Sequence, residues 1–175
     1  MLTTQRTFIR PVKSSDNEAV FCYRSDAITN KYQGFIPKTL QEVDTFISKN
    51  PAKTNQNNTW FQLVIIEKST NTLIGDIGIH FIGNDGFQCE LGCTFDKDYH
   101  GQGFATETLK AVVSYLFKDL NKHRITASID PENINSIRLF ERLGFRKEGH
   151  FRKSLLINGE WVDDVIYGLL SEEFI

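Results

Sequence analysis

Three consecutive segments rich in β-branched and aromatic residues form the middle of the chain, and two turn sequences separate them. The segments are residues 60–67, 73–81 and 87–95. Residues 69–71 and 83–86 lie between them and contain the residue types that favour tight turns. Strands joined by such short turns pair antiparallel, so these segments predict an antiparallel meander at the centre of the fold.

Two shorter helices are expected before the meander. Residues 14–16 (Ser-Ser-Asp) should cap a helix over residues 18–24. Thr39 should cap a second helix over residues 40–48, and Glu42, three residues later, would complete a capping box.

A longer helix is expected after the meander. Residues 106–120 have apolar side chains at every third or fourth position, which gives one apolar face. Residues 124–129 then alternate like a strand. Asn133 or Asn135 is expected to begin a further helix, which Gly144 ends.

The remaining strands lie near the two ends of the chain. Residues 7–12 form the first, and residues 145–157 pair with residues 161–170 as a hairpin across Asn158-Gly159. Hairpins beside strand–helix alternation predict one α/β (α+β) domain over residues 1–175. Its sheet is expected to be mixed and mostly antiparallel, with about seven strands and about four flanking helices.

Composition and charge narrow the function classes. The formal net charge of -2 provides no extended positive field, so neither a nucleic-acid partner nor a membrane partner is expected. The N-terminus lacks the apolar core of a signal peptide, and no apolar run reaches the roughly 18 residues of a membrane span, so a cytoplasmic protein is expected. Cys22, Cys89 and Cys93 form no CxxC pair and the histidines are scattered, so no disulfide framework and no metal site are predicted.

The sequence HGQGFATE, residues 100–107, lies between the strand that ends at Phe95 and the helix expected from Thr106. A glycine loop before a helix N-terminus binds anions, because unpaired N–H groups and the positive end of the helix dipole point the same way. A dinucleotide-binding GxGxxG motif would need glycine at Thr106, and no GxxxxGK[ST] motif is present. The loop therefore predicts a phosphate site of a different kind.

This loop resembles the acyl-coenzyme A pyrophosphate loop of the GNAT N-acetyltransferase superfamily, whose pattern is Q/R-x-x-G-x-G/A. Residues 100–105 match the pattern except at the first position, where His100 stands. The helix from Asn133 to the Gly144-Phe145 stop and the strand over residues 89–95 also resemble the superfamily. Together with the opening residues 6–11 and the ending residues 148–169, they resemble the branch that acetylates N-terminal amines of ribosomal proteins.

The resemblance implies acetyl-coenzyme A as co-substrate and an amine acceptor. A monomer or homodimer is expected. It also implies that the fourth and fifth predicted strands splay apart and admit the pantetheine arm. The residues implied to bind the coenzyme are Thr94, Phe95, His100, Gly101, Gln102, Gly103, Phe104, Ala105, Thr106, Asn133 and Phe140.

The reaction implied is direct transfer of acetyl to the amine in a ternary complex. Backbone N–H groups near Thr94 and Phe95, freed by a bulge that family strands carry, would stabilise the negative charge on the carbonyl. Glu90 is the first candidate for the base because it alternates with Cys89 and Leu91 and so faces away from the core. Alternatively, Glu90 is a solvent-side carboxylate that pairs with a residue across the strand, and a water relay replaces a dedicated base.

Family members often use a tyrosine as the acid four residues before the glycine of the helix stop, where this chain has Phe140. Ser136 is the nearest hydroxyl and has a similar role in the ribosomal branch; alternatively, it is only a first-turn helix residue. Asn133 would bind the coenzyme arm, cap the helix, or do both.

The acceptor implied is the α-amine of a protein N-terminus. Small amines (aminoglycosides, polyamines or amino acids) are the near alternative, and a coenzyme A sensor without activity is the other, because Phe140 replaces the usual tyrosine. Trp60, Tyr32, Phe35 and His80 are candidates for the acceptor pocket, although a place in the core is the favoured interpretation of Trp60. Arg138, Glu141 and Arg142 are expected to form a solvated helix face.

Overall fold

Within residues 1–157 and 159–174, the computed structural model contains eight strands and four α-helices. The strands are β1 (Leu2–Thr3), β2 (Thr7–Pro11), β3 (Thr59–Glu67), β4 (Thr72–Ile82), β5 (Gln88–Phe95), β6 (Arg124–Ile129), β7 (Arg146–Ile157) and β8 (Glu160–Leu170). The helices are α1 (Asn17–Arg24), α2 (Leu40–Ser48), α3 (Phe104–Lys118) and α4 (Ile134–Arg142).

All eight strands belong to one sheet in the order β1-β2-β3-β4-β5-β6-β8-β7. Every neighbouring pair is antiparallel except β5 and β6, which are parallel. The predicted meander is confirmed by β3, β4 and β5. The strand that the sequence did not predict is β1, where Leu2 and Thr3 pair with Ile9 and Phe8. Two residues are too few to give a periodic pattern.

Several predicted boundaries and caps differ in the structure. α3 begins at Phe104, two residues before the predicted start, directly after Gly103 in a left-handed conformation. Asp16 does not cap α1, because its carboxylate accepts hydrogen bonds from Arg10 and from the Lys13 backbone N–H. Thr39 caps α2 as predicted.

The capping box predicted for α2 is displaced by one residue. The Glu42 carboxylate accepts from the backbone N–H of Lys38, at 2.7 Å, rather than from that of Thr39. The predicted hairpin between β7 and β8 is present. Of its predicted turn, Asn158 lies outside the described residues, and Gly159 has a φ of 86°.

The helices cover the two faces of the sheet unequally. α3 and α4 pack on one face against a large cluster that includes Cys89 and Leu91 of β5. α1 and α2 pack on the other face around Val64 of β3, in a smaller cluster. Because side chains alternate along a strand, Glu90 and Gly92 point to this second face, which is called the α1–α2 face below.

The sheet opens between β5 and β6. Their parallel pairing joins only residues 88–90 to residues 124–126. Beyond Glu90, β5 stays paired with β4 as far as Phe95, while β6 stays paired with β8. The splay that the resemblance implied is therefore confirmed, and the opening connects the two faces of the sheet.

Candidate active site

The glycine loop lies at the end of the opening between β5 and β6. Gly101 and Gly103 have φ angles of 72° and 82°, a backbone conformation that favours glycine. No heavy atom lies within 4 Å of the position that a Cβ on Gly101 would occupy. The loop thus presents bare backbone next to the N-terminus of α3, which is the arrangement that binds phosphate.

A cleft of about 790 Å³ extends from this loop to the N-terminus of α4. Most of the residues predicted to bind the coenzyme line it. From the loop and α3 these are His100, Gly101, Gly103, Ala105 and Thr106. From β5 and the start of α4 these are Thr94, Phe95 and Asn133, together with the proposed acid Ser136.

Three residues predicted to bind the coenzyme do not line this cleft. The Gln102 side chain donates to the Asp98 carbonyl at 2.7 Å. The Phe104 ring is buried in the core, with Tyr99 at its edge. Phe140 is buried against the edge of Phe145, at a centroid distance of 5.0 Å, because α4 turns this position towards the sheet. For these side chains the structure gives packing and support in place of a direct contact with the cleft.

Backbone N–H groups of β5 face the opening, but they are not the pair that the sequence predicted. The Cys93 carbonyl accepts from Gln33 Nε2 at 3.2 Å, and the Phe95 carbonyl contacts His100 Nε2 at 2.9 Å. Each residue of a strand directs its N–H and its C=O to the same edge. The N–H groups of Cys93 and Phe95 therefore face the opening, whereas that of Thr94 faces β4.

The bulge expected in β5 is absent from the described β4–β5 pairing, whose register runs without a shift from Gly75–Phe95 to Ile82–Gln88. The N–H groups of β5 are free for another reason, which is that β6 diverges after Glu90. Cys93 was missed as a backbone donor because its sequence position alone does not tell which edge of the strand it faces. Burial of its thiol and the nearby Asp76 charge raise the pKa of Cys93 to about 12.

The N-terminus of α4 forms the far wall of the cleft. Asn133 Oδ1 accepts from the Ser136 backbone N–H at 3.2 Å, so Asn133 is the N-cap of this helix. Among the hydrogen bonds of the described residues, none engages the Ser136 hydroxyl. Asn133 therefore caps the helix in the way the sequence allowed, and Ser136 keeps a hydroxyl available to the cleft.

Arg138 and Arg142 also line the cleft, although the sequence suggested a solvated helix face. Arg142 Nη1 donates to Thr106 Oγ1 at 3.0 Å, which joins α4 to the first turn of α3. Two guanidinium groups beside the glycine loop add positive charge where an anion would bind. Their spacing of four residues places Arg138 and Arg142 on one face of α4, but the sequence does not show that this face is turned towards the cleft.

Residues 29–33, the crossing loop, line the cleft from the α1–α2 side. Gln33 reaches the Cys93 carbonyl of β5, and Tyr32 Oη donates to the Glu132 carbonyl just before α4, at 3.2 Å. The buried Asn30 amide donates to the Tyr23 carbonyl at 2.6 Å and so anchors the loop to α1. The crossing loop thus spans the opening between β5 and the start of α4.

A buried ion pair holds the base of the crossing loop. Arg24 Nε and Nη2 donate to the two carboxylate oxygens of Asp76, at 2.7 and 2.6 Å. Tyr23 Oη donates to the same carboxylate, and burial raises the pKa of Tyr23. Arg24 Nη1 also donates to the Phe35 carbonyl at 3.2 Å, so the chain after the crossing loop is tied to β4.

The α1–α2 face carries an aromatic wall beside Glu90. Trp60 stacks on His80, with a centroid distance of 4.8 Å and an interplanar angle of 9°. Trp60 is 44% exposed, so its expected place in the core is wrong: it lies outside the cluster that α1 and α2 form around Val64. Burial lowers the pKa of His80, which favours a neutral ring.

Glu90 lies opposite His80 in the β4–β5 register and is half-buried. Burial raises the pKa of Glu90, and the negative charge of Asp164 raises it further. Asp164 is buried and accepts from the Ser128 hydroxyl at 2.8 Å. Among the described ion pairs, neither carboxylate has a cationic partner. This face therefore carries unneutralised negative charge.

No side chain blocks the surface of β5 between Glu90 and the cleft, because Gly92 lies there. No heavy atom lies within 4 Å of the position that a Cβ on Gly92 would occupy. A molecule on the α1–α2 face can thus reach the opening in which the Cys93 and Phe95 N–H groups lie. The arrangement combines an anion site, two free backbone donors and a carboxylate with a raised pKa around one gap in the sheet.

The described residues contain no group of histidine, cysteine or acidic side chains that could hold a metal ion, and none of their helices is both long and apolar enough to span a membrane. The donor set of the cleft, which is backbone N–H groups, arginines and a helix N-terminus, suits a phosphate-bearing molecule with an extended amide arm.

Comparison with known proteins points to the same chemistry. A family model described as an acetyltransferase (GNAT) domain matches residues 6–146. The uncharacterized N-acetyltransferase YnaD of Bacillus subtilis is 34% identical to the chain, and the alignment covers 99% of the chain and 98% of that protein. The ribosomal protein uS5 alanine N-acetyltransferase of Escherichia coli is 37% identical over 49% of the chain and 44% of its own length. A solved GNAT-family acetyltransferase from Bacillus anthracis superposes with a TM-score of 0.88 at 32% identity, covering 98% of this chain and 99% of that one.

Proposed function

Because the chain belongs to the GNAT family of N-acetyltransferases, we propose that it moves acetyl from acetyl-coenzyme A to the α-amine of a protein N-terminus, as a cytoplasmic enzyme. The observation that carries the proposal is the gap between β5 and β6. It has an anion-binding loop at one end and an acidic, aromatic-walled face beside it.

The donor site is built mainly from backbone. The N–H groups of the glycine loop and the first turn of α3 would hold the pyrophosphate, with Arg138 and Arg142 facing the same space. The coenzyme supplies the thioester that is attacked. Because the loop would bind phosphate through backbone N–H groups, the motif tolerates His100 at its first position. The His100 ring contacts the Phe95 carbonyl instead.

The N–H groups of Cys93 and Phe95 would stabilise the negative charge that develops on the carbonyl oxygen. Transfer is direct, without an acetylated cysteine. The raised pKa of Cys93, about 12, keeps its thiol protonated near neutral pH, and a thiol is a far weaker nucleophile than a thiolate.

Glu90 would accept the proton of the acceptor ammonium, directly or through a water. Its raised pKa makes it a better base than an ordinary glutamate, whose pKa is about 4.3. An α-amine has a pKa of about 7.7 to 8.0, so it gives up this proton more readily than a lysine side chain at about 10.4. The α-amine is therefore the acceptor that a weak base serves best.

Ser136 would donate a proton, or a hydrogen bond, to the departing thiolate. It lines the cleft at the first turn of α4, and its hydroxyl has no other partner among the described residues. A thiolate with a parent pKa of about 8.5 is a tolerable leaving group, so this contribution is expected to be moderate.

A small polycationic amine is the second candidate acceptor, and one observation favours it. Glu90 and Asp164 both lack a cationic partner in the described structure, and each carries negative charge near the gap. A second ammonium group on the acceptor would neutralise Asp164 while Glu90 deprotonates the first.

The two candidates are separated by a thiol-release assay with acetyl-coenzyme A. The panel holds peptides with a free or a blocked N-terminus, a peptide whose only amine is a lysine side chain, spermidine, and an aminoglycoside. Turnover that requires the free N-terminus supports the proposal. Turnover on spermidine alone would replace it by the second candidate, and coenzyme binding without turnover on any amine would refute both. Mass spectrometry of protein N-termini in cells with and without the protein identifies the physiological acceptor.

A further inference from the structure

Arg6, which immediately precedes β2, contacts the glycine loop from the side opposite the cleft. Its Nη1 donates to the Gln102 carbonyl at 3.0 Å, and its Nε donates to Glu107 Oε2 at 2.7 Å. Its guanidinium carbon lies 4.2 Å from the centroid of the Phe104 ring. One side chain thus touches the loop, the first turn of α3 and the ring that anchors them.

The backbone of Arg6 is itself fixed. Its N–H donates to Glu107 Oε1 at 2.8 Å, and its carbonyl accepts from the Lys68 N–H at 2.9 Å. Arg6 Nη2 is the nearest heavy atom, at 3.4 Å, to the position that a Cβ on Gly103 would occupy. Hydrogen bonds at the Arg6 N–H and carbonyl therefore fix its backbone, and its guanidinium lies against Gly103 on the side away from the cleft.

This contact determines the orientation of the Gln102–Gly103 peptide. A trans peptide is planar, and its C=O and N–H point in opposite directions. Because the Gln102 carbonyl points to Arg6, the Gly103 N–H points the other way, towards the cleft that Gly103 lines. Gly101 and Gly103 both occupy the left-handed region, and glycine there has little steric restraint against a peptide rotation. A rotated peptide would direct a carbonyl oxygen at the bound anion.

Arg6 also neutralises a charge that an anion would otherwise meet. Glu107 lies in the first turn of α3, where the helix N-terminus would attract a phosphate. Burial raises the pKa of Glu107, but hydrogen bonds from Thr4 and Arg6 outweigh this and lower it, so the carboxylate is ionised. The Arg6–Glu107 pair leaves this turn without net charge.

We propose that Arg6 is a positioning residue for the coenzyme site, which holds the Gly103 N–H towards the pyrophosphate and cancels the charge of Glu107. This inference rests on acetyl-coenzyme A being the donor, as in the proposed function. Arg6 itself does not line the cleft, so it acts through the loop.

Isothermal titration with coenzyme A tests the role without any acceptor. In Arg6→Gln we expect the dissociation constant to rise about tenfold, since a charge-assisted hydrogen bond is lost. Arg6→Lys keeps the charge but not the two-pronged geometry and should recover part of the affinity. Glu107→Gln keeps an oxygen that accepts from Arg6 and removes the negative charge, so its affinity should equal or exceed that of the parent.

Arg124→Gln is the matched control, because Arg124 forms an ion pair with Glu148 at a distance from the cleft. It should lose some stability and keep its coenzyme affinity. Once an acceptor is known, Arg6→Gln should show a raised KM for acetyl-coenzyme A with kcat retained. Turnover of acetyl-pantetheine, which lacks the pyrophosphate, should be unchanged.

A dissociation constant within twofold of the parent in Arg6→Gln overturns the inference, and so does an equal loss in Glu107→Gln, which would reduce the effect to the ion pair alone. If Arg6→Gln does not fold, the comparison of Arg6→Lys with Glu107→Gln decides the matter in the same way. Failure of coenzyme A to bind the parent protein would instead refute the proposed function.

Discussion

Arg24 and Asp76 form a two-pronged ion pair inside the protein, with donor–acceptor distances of 2.7 and 2.6 Å, and both residues are buried. The pair joins α1 to β4 at the strand position opposite Thr94. The Arg24 guanidinium also donates to the Phe35 carbonyl, so the pair fixes the chain that follows the crossing loop.

Breaking this pair from one side should destabilise the protein strongly. Asp76→Asn leaves the buried Arg24 charge uncompensated, which is expected to cost about 3–5 kcal/mol and to lower the melting temperature by roughly 6–20 °C. Lys97→Gln removes the exposed pair with Asp26, which solvent screens, and should change the melting temperature far less. Equal decreases in the melting temperatures of the two variants would show that the buried pair contributes no more to stability than the exposed one.

The pH dependence of turnover should report Glu90. A base must be deprotonated, so kcat/KM is expected to fall as the pH drops through the pKa of Glu90. This acidic limb of the pH profile should lie at higher pH than for an ordinary glutamate, because burial and the Asp164 charge raise the pKa of Glu90. Glu90→Gln should lower kcat/KM about 10²-fold or more and abolish the limb.

Asp164→Asn provides a test of the sign. It removes the negative charge that raises the Glu90 pKa, so the acidic limb should move to lower pH while turnover persists. A limb that stays in place in Asp164→Asn, or that survives in Glu90→Gln, would assign the proton transfer to another group.

A bulky charged side chain in the glycine loop should abolish coenzyme binding without unfolding the protein. Gly103→Glu puts a Cβ against the Arg6 guanidinium at a positive φ, which distorts the loop and adds a negative charge beside the proposed pyrophosphate site, so titration with coenzyme A should show no binding. Gly159→Glu is the matched control, because Gly159 also has a positive φ, of 86°, on an exposed hairpin away from the cleft. Normal affinity in Gly103→Glu would contradict the assignment of the loop.

The kinetic mechanism should be that of a ternary complex. The raised pKa of Cys93 argues against an acetylated cysteine, so double-reciprocal plots at several acceptor concentrations should intersect. Intact-protein mass spectrometry after incubation with acetyl-coenzyme A alone should detect no added acetyl group on Cys93. Parallel lines together with a modified Cys93 would establish a two-step route in place of direct transfer.

Local patterns predicted the parts of the site that depend on local structure. The turn residues between β3, β4 and β5, the apolar periodicity of α3, and the capping by Asn133 all act within a few positions of the chain, and each is confirmed. The splay between β5 and β6 came from the family resemblance, because pairing partners far apart in the chain leave no local pattern.

The errors concern the direction in which a side chain or backbone group points. Arg142 belongs to the cleft because α4 packs against α3, and Trp60 is exposed because α1 and α2 do not extend over it. The choice of Cys93 over Thr94 as a backbone donor depends on which edge of β5 faces β6. Each of these follows from long-range packing, which residue type and spacing do not reveal.

The two halves of the site beside the opening between β5 and β6 are built from different groups, one mainly from backbone and the other from side chains. The half that would hold the coenzyme is mostly peptide backbone and glycine, which few substitutions can alter without loss of coenzyme binding. The half beside it consists of the side chains of Trp60, His80, Glu90 and Asp164, none of which supports the glycine loop. A lineage built on this plan can exchange its acceptor by point mutation while it inherits the donor unchanged, so paralogues are expected to diverge first on the α1–α2 face.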